Sequence, residues 1–246
     1  MIADTTTGRP DRTVVVGSHL DSVPEGPGIN DNGSGSATGL EVALQIAKLD
    51  IQPRNRVRFA FWGAEESGLV GSQYYVDSLT QRQIKDIAVN LNFDMVASPN
   101  YVRFVYDGDA SDTDSLGSTG SGVVEDVFTD YFDSQGLASE PTAFDGRSDY
   151  DAFINVGIPA GGLFTGAEDK KTEAEAAVYG GVPGVAYDPC YHQACDSLTP
   201  VADGADAETY EDLSAAYAGA LIVDGTISNL NTQALDEMSE RSPTAR

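Results

Sequence analysis

Three apolar runs stand out along the chain, each closed by residues able to carry chemistry. Residues 13–16 run into His19, residues 57–62 into Glu65 and Glu66, and residues 88–93 into Asp94. Runs this short, separated by stretches of helical period, predict strands of a mainly parallel sheet buried on both faces. Further strands are predicted at 101–106 and 157–163. Leu40, Ala43, Leu44 and Ala47 recur at helical spacing and predict a crossover helix over 37–49, with that stripe as its apolar face. Weaker patterns predict helices at 70–79 and 122–134, and a last one at 207–221 striped by Leu213, Ala216, Tyr217 and Ala220. Strands alternating with helices make the chain α/β, a single domain with a mainly parallel mixed β-sheet flanked by helices. In such sheets ligands gather at the carboxyl ends of the strands, so the polar run-ends are expected along one edge.

A chain of 246 residues suits one core. It is expected at 1–230, with the polar stretch 231–246 as a frayed tail. No apolar run approaches the roughly 20 residues that a membrane helix needs. Met1 to Thr7 has neither a basic start nor an apolar core, so no signal peptide is visible. Fourteen Lys and Arg stand against 39 Asp and Glu, a net charge of −25. That field repels polyphosphates and excludes nucleic acid and anionic membranes as partners, while it attracts cations, among them metal ions and the ammonium end of a peptide. A monomer is expected.

The Asp-, Ser- and Gly-rich stretch 107–122 reads as an exposed loop. An EF-hand starting at Asp107 fails, because Asp112 stands at its sixth position and Ser118 at its twelfth; Ca²⁺ bound there in some other way is kept as a secondary expectation. Gly33, Gly35 and Gly39 follow a loop, lack the spacing of a dinucleotide fingerprint and have no P-loop Lys, so they mark a close backbone approach beside Asp31.

Both histidines of the chain, His19 and His192, sit in runs that read as metal sites, with Asp31, Glu65, Glu66 and Asp94 in between. Two imidazoles shared among carboxylates suit a pair of zinc ions, which accept His nitrogen and carboxylate oxygen alike. Each segment alone has a plain reading: His19 with Asp21 as a strand-end hydrogen-bonded pair, Glu65 and Glu66 as a solvated helix start. Asp94, closing an apolar strand, needs a partner or a cation. Cys190 and Cys195 bracket Tyr191 and His192. Unbridged they would be thiolate ligands or inert thiols; a disulfide is favoured, because no second cysteine pair completes a structural zinc site, and it implies an oxidising compartment consistent with secretion.

The order His-x-Asp, Asn-Asp-Asn-Gly-Ser-Gly, Glu-Glu, Asn-Phe-Asp-Met and Tyr-His resembles the secreted bacterial double-zinc aminopeptidases of the leucine aminopeptidase type. The likeness extends from about Ile2 to about Leu221 and includes Phe144-Asp145-Gly146-Arg147-Ser148-Asp149, Gly161-Gly162-Leu163-Phe164-Thr165-Gly166 and Asp188-Pro189-Cys190-Tyr191-His192. It implies the zinc exopeptidase fold, phosphorylase/hydrolase-like, and two zinc ions bridged by Asp31, one completed by His19 and Asp94 and the other by Glu66 and His192. Asp21 is then the carboxylate that orients His19, Glu65 the general base acting on a water shared by the ions, and Tyr191 the phenol that stabilises the oxyanion. Arg147 lines the substrate cleft, and Met95 and Phe164 form the pocket for an apolar first side chain such as Leu, Phe or Met. A cis peptide between Asp31 and Asn32 is also implied. The implied substrates are peptides with a free amino terminus.

Members of that family begin several dozen residues earlier, so their amino-terminal segment is expected to be absent, and many carry His where this chain has Tyr150. Their calcium site does not transfer, since Ala207 and Glu211 stand where its acidic pattern belongs. The rival readings are a carboxypeptidase or N-acyl amino acid deacylase on the same fold, a non-catalytic binding domain, and a calcium-binding acidic module.

Overall fold

A computed structural model describes residues 1–198. The expected helix at 207–221 and the tail at 231–246 lie outside the described residues. The strands are β1 (Ile2–Asp4), β2 (Arg9–His19), β3 (Asn55–Trp62), β4 (Ile87–Phe93), β5 (Phe104–Tyr106), β6 (Glu140–Thr142) and β7 (Ala160–Phe164), in one sheet ordered β1-β3-β2-β4-β7-β5-β6. Four central strands, β3, β2, β4 and β7, run parallel, while β1 and β5 each pair antiparallel with their neighbours β3 and β7. The mixed α/β sheet expected from the sequence is thus present.

Parallel pairing explains the near-continuous apolar runs. Val14 and Val16 of β2 join Val57, Phe59, Val89, Leu91 and Phe93 on one face, under Val42 and Ile46 of α1 (Gly35–Lys48) and Val124, Phe128 and Phe132 of α4 (Ser121–Gln135). Val15 points the other way, with Ala60 and Trp62, under Val76 of α2 (Val70–Asp77) and Phe153 of α5 (Asp151–Ile154). With both faces covered, alternate residues of one strand feed two cores.

Three expectations need correction. The stripe expected as the apolar face of α1 points mostly outward: Leu40 is 52% and Leu44 55% exposed, Ala43 alone of the stripe packs on the core, and the sheet is met by Gly35, Ser36, Thr38, Gly39, Val42 and Ile46. The cause is close approach. A Cβ at position 35 would lie 2.1 Å from the Phe93 carbonyl oxygen, so the helix start can reach the end of β4 only through glycine. The strand expected from residue 101 begins at Phe104, because Val102 turns its N–H to Thr165. The strand expected from residue 157 begins at Ala160, after a left-handed Gly157 and Pro159.

Helices α3 (Gln81–Asp86) and α6 (Glu173–Tyr179) went unexpected. Both carry a readable start signal, a capping box of Thr80 with Gln83 and of Thr172 with Glu175.

Candidate metal centre

Because β2, β3 and β4 are parallel, their carboxyl ends lie on one edge of the sheet, and His19, Glu65, Glu66 and Asp94 arrive there together. Asp31 enters from the turn that precedes α1. His19 Nε2 lies 3.2 Å from Asp31 Oδ1 and 3.3 Å from Asp94 Oδ1. His192 Nε2 lies 3.1 Å from Asp31 Oδ2 and 3.1 Å from Glu66 Oε2. The result is two ligand triads that share Asp31, one oxygen to each.

The neighbours of Asp31 explain its placement. The peptide between Asp31 and Asn32 is cis. Asn30 Nδ2 donates to Asp188 Oδ2 at 2.6 Å and to Ser98 Oγ at 3.1 Å, and Asn32 Nδ2 donates to the Phe93 carbonyl at 2.9 Å. The backbone N–H groups of Asn30 and Asp31 donate to the two carboxylate oxygens of Asp196 at 2.7 and 3.0 Å. The two asparagines therefore fasten the turn to the chain beyond β4, and Asp196 fastens it to the disulfide loop.

The other ligands are oriented in the same manner. Ser148 Oγ lies 2.5 Å from Asp94 Oδ2 and accepts from Asn92 Nδ2 at 2.7 Å. With its lone pair engaged by the amide, the hydroxyl proton goes to Asp94, which leaves Asp94 Oδ1 facing His19. His19 Nδ1 stands 3.0 Å from the carbonyl oxygen of Asp21, an acceptor only, so this nitrogen carries the proton and Nε2 offers a lone pair when the ring is neutral. The carboxylate of Asp21, the expected partner, is 3.8 Å away. It accepts instead from the backbone N–H groups of Glu65 and Glu66, at 3.1 and 3.3 Å, and so shapes the turn that presents both glutamates.

Electrostatics favour a cation at this edge. Burial pulls the His19 imidazole down, but Asp94 and Asp31 together hold it up at about 12, a proton standing where positive charge is demanded. Burial raises Glu65 to about 8, with Asp94 adding to the effect, and it also raises Asp31 and Glu66. Burial works to raise Asp94 as well, yet His19 and Ser148 bring it below the usual range. Glu66 Oε1 is buried with no hydrogen-bond partner. Four largely buried carboxylates around two imidazoles need compensating charge, and a nitrogen and oxygen donor set fits zinc.

Comparison with known proteins places this arrangement. The sequence pattern that defines peptidase family M28 matches residues 1–218. The chain belongs to peptidase family M28. An aminopeptidase of Pseudomonas aeruginosa (strain UCBPP-PA14) is 55% identical over 201 residues, 82% of this chain and 37% of that protein. A probable leucine aminopeptidase 2 of Aspergillus oryzae is 51% identical over 199 residues, 81% of this chain and 40% of that protein. This chain thus spans about two fifths of the length of these relatives. The structure of a zinc aminopeptidase from Bacillus subtilis superposes with a TM-score of 0.66 at 28% identity, covering 89% of this chain and 49% of that one.

In this M28 chain the edge that carries the two candidate triads opens into a cavity of about 460 Å³. Glu65, Met95, Arg147, Phe164 and Tyr191 all line it, as do Phe104, Tyr106 and Glu168, which the sequence motifs did not single out. Glu65 belongs to neither triad. The Tyr191 ring stacks on His192 at 3.8 Å between centroids. Burial pushes its phenol up to about 12, although the Arg147 guanidinium pulls the other way. Tyr150, at the position where His was noted in relatives, is buried and donates to Asp145 at 2.8 Å, tightening the loop that carries Arg147 and Ser148.

Cys190 and Cys195 are bridged, with their Cα atoms 5.2 Å apart, as favoured from the sequence. The acidic loop after β5 is less exposed than expected, because Asp107 is fully buried and accepts from the N–H groups of Ser111, Asp112 and Thr113. Asp109 and Glu125 bring one carboxylate oxygen each near it, and three backbone N–H groups already engage the Asp107 carboxylate. No helix of the described residues is long and apolar enough to cross a membrane.

Proposed function

We propose that this chain is a zinc-dependent aminopeptidase that hydrolyses the first peptide bond of peptides with an apolar amino-terminal residue, Leu, Phe or Met. The observation that carries this reading is the pair of triads sharing Asp31, with Glu65 left over beside them in the same cavity. His19, Asp31 and Asp94 would hold one zinc ion, and Asp31, Glu66 and His192 the other. Ions held there supply Lewis acidity and an acidified water.

The chain's own residues do the rest. Glu65, unclaimed by either triad, takes the proton of the attacking water and returns it to the leaving amine. Tyr191 donates its phenolic hydrogen to the oxygen that gains charge as the carbonyl becomes tetrahedral. Met95 and Phe164, with Phe104 and Tyr106 behind them, offer an apolar wall to the first side chain. Among the described residues, the cations lining the cavity are Arg147 and Lys170 besides the two histidines, and Arg147 is already paired with Glu168 at 2.9 Å. A free substrate carboxylate therefore meets few described cations, which disfavours a carboxypeptidase or a deacylase. The disulfide fits an extracellular protein, and the net charge of −25 argues against nucleic acid as a partner. We also take the enzyme to act as a monomer.

The test is Glu65→Ala in the zinc-loaded chain, assayed on leucine p-nitroanilide and on the same substrate with its amine acetylated. Zinc content should be unchanged, kcat should fall about 100-fold or more, and the acetylated substrate should resist the wild type. Full activity in the variant, or equal turnover of the blocked substrate, would overturn the reading.

A further inference from the structure

Glu168 lies outside every ligand motif, on the rim of the cavity after β7. Its Oε1 stands 2.9 Å from Arg147 Nη2, and the same Nη2 donates to the Tyr191 hydroxyl at 3.2 Å. A terminal guanidinium nitrogen has two hydrogens and accepts none. One goes to Glu168 and the other to the Tyr191 oxygen, so both are used. Tyr191 is therefore the acceptor in its contact with Arg147, and its own hydrogen must point elsewhere. Its ring is clamped against His192, and the chain on either side is tied by the disulfide and by the N–H of Tyr191 to the Asp188 carbonyl. What stays adjustable is rotation of the hydroxyl about its C–O bond.

We propose that Glu168 is a positioning residue: by holding Arg147 against the Tyr191 oxygen, it turns the Tyr191 hydrogen into the cavity, toward the carbonyl of a bound substrate. The role rests on the aminopeptidase reading above. Arg147 and Glu168 are each about half exposed, 52% and 51%. Without Glu168 the long Arg147 side chain keeps one contact to a neutral phenol and swings into water. Tyr191 then loses the donor that fixed its rotor. Because exposed ion pairs are weak, the effect is about 2- to 5-fold. That is well short of the roughly 100- to 1000-fold lost when an oxyanion donor is removed outright.

The experiment compares Glu168→Ala and Glu168→Gln in the zinc-loaded chain, alone and combined with Tyr191→Phe. Steady-state kinetics on leucine p-nitroanilide are read beside the inhibition constant of the boronic acid analogue of leucine, whose tetrahedral adduct carries the anionic oxygen. Glu168→Ala should lower kcat about 2- to 5-fold with KM unchanged and weaken the boronic acid by the same factor. Glu168→Gln should restore most of both, since its amide oxygen accepts the same Arg147 hydrogen. In the Tyr191→Phe background Glu168→Ala should change nothing further. Unaltered kinetics, a rise in KM at constant kcat, or an undiminished effect in the Tyr191→Phe background would each overturn the role. Wild-type turnover separates the two conclusions. An active wild type with an indifferent Glu168→Ala removes the Glu168 role alone, while an inactive zinc-loaded wild type removes the aminopeptidase reading and this role with it.

Discussion

Asp196 belongs to neither candidate ligand triad, yet the geometry makes it a strong control on the centre. Its carboxylate is 3% exposed and accepts from two consecutive backbone N–H groups, those of Asn30 and Asp31, one on each oxygen. A hydrogen bond to a charged group contributes about 1.5–3 kcal/mol, so the two together contribute roughly 3–6 kcal/mol. Asp196→Asn is the sharp perturbation. The amide keeps one accepting oxygen but turns an NH₂ group toward the second N–H, donor against donor, so the nearly isosteric change should cost about as much as Asp196→Ala. For a domain of this size 1 kcal/mol corresponds to about 2–4 °C, which predicts a melting temperature lower by roughly 6–24 °C in either variant. Because the fastened segment carries the shared Asp31, zinc affinity should fall as well. Thermal melts of the chelated and zinc-loaded proteins, with zinc competition by a coloured chelator, measure both. If Asp196→Asn melted within about 2 °C of the wild type, the assignment of these two hydrogen bonds as a stabilising clamp would be refuted.

Two further predictions concern protons and the ligand supports. In the metal-free chain, burial raises Glu65 from 4.5 to about 8 and Asp149 from 3.8 to about 7, so the folded state holds protons that the unfolded state has released. His19, raised from 6.5 to about 12 against the pull of burial, adds stability that is complete below 6.5 and is lost as pH rises toward 12. All three have the same sign. Denaturant melts of the chelated protein should show lower stability at pH 8.5 than at pH 5.5, zinc binding should release protons, and apparent zinc affinity should rise with pH; greater stability at pH 8.5 would contradict the charge balance drawn for the site. Ser148→Ala removes the donor to Asp94 Oδ2 and should weaken the zinc held by His19 and Asp94 about 10- to 100-fold, while the ion at Glu66 and His192 is less affected. Sequential zinc titration distinguishes the two, and an unchanged first and second affinity would dismiss the Ser148 contact as incidental.

The apolar pattern was enough to set the central strands β2, β3 and β4 and what stands at their ends. Apolar runs of this length between helical patterns predict strands covered on both faces, and a polar residue closing such a run is delivered to the sheet edge; this is why His19, Glu65, Glu66 and Asp94 could be grouped before any coordinates. The order of the motifs extended the grouping to Asp31 and His192. Periodicity could not decide which side of α1 meets the sheet, because that helix has two apolar stripes. The choice fell to the close approach of Gly35 to Phe93, a contact between residues 58 positions apart. The supports of the site were illegible for the same reason. Asp196 reaches Asn30 across 166 residues, Ser148 reaches Asp94 across 54, and the Asp21 carboxylate reaches Glu65 across 44. A local pattern reports which face of an element is apolar; which hydrogen bond a buried carboxylate makes depends on how distant segments converge, and only the tertiary structure decides that.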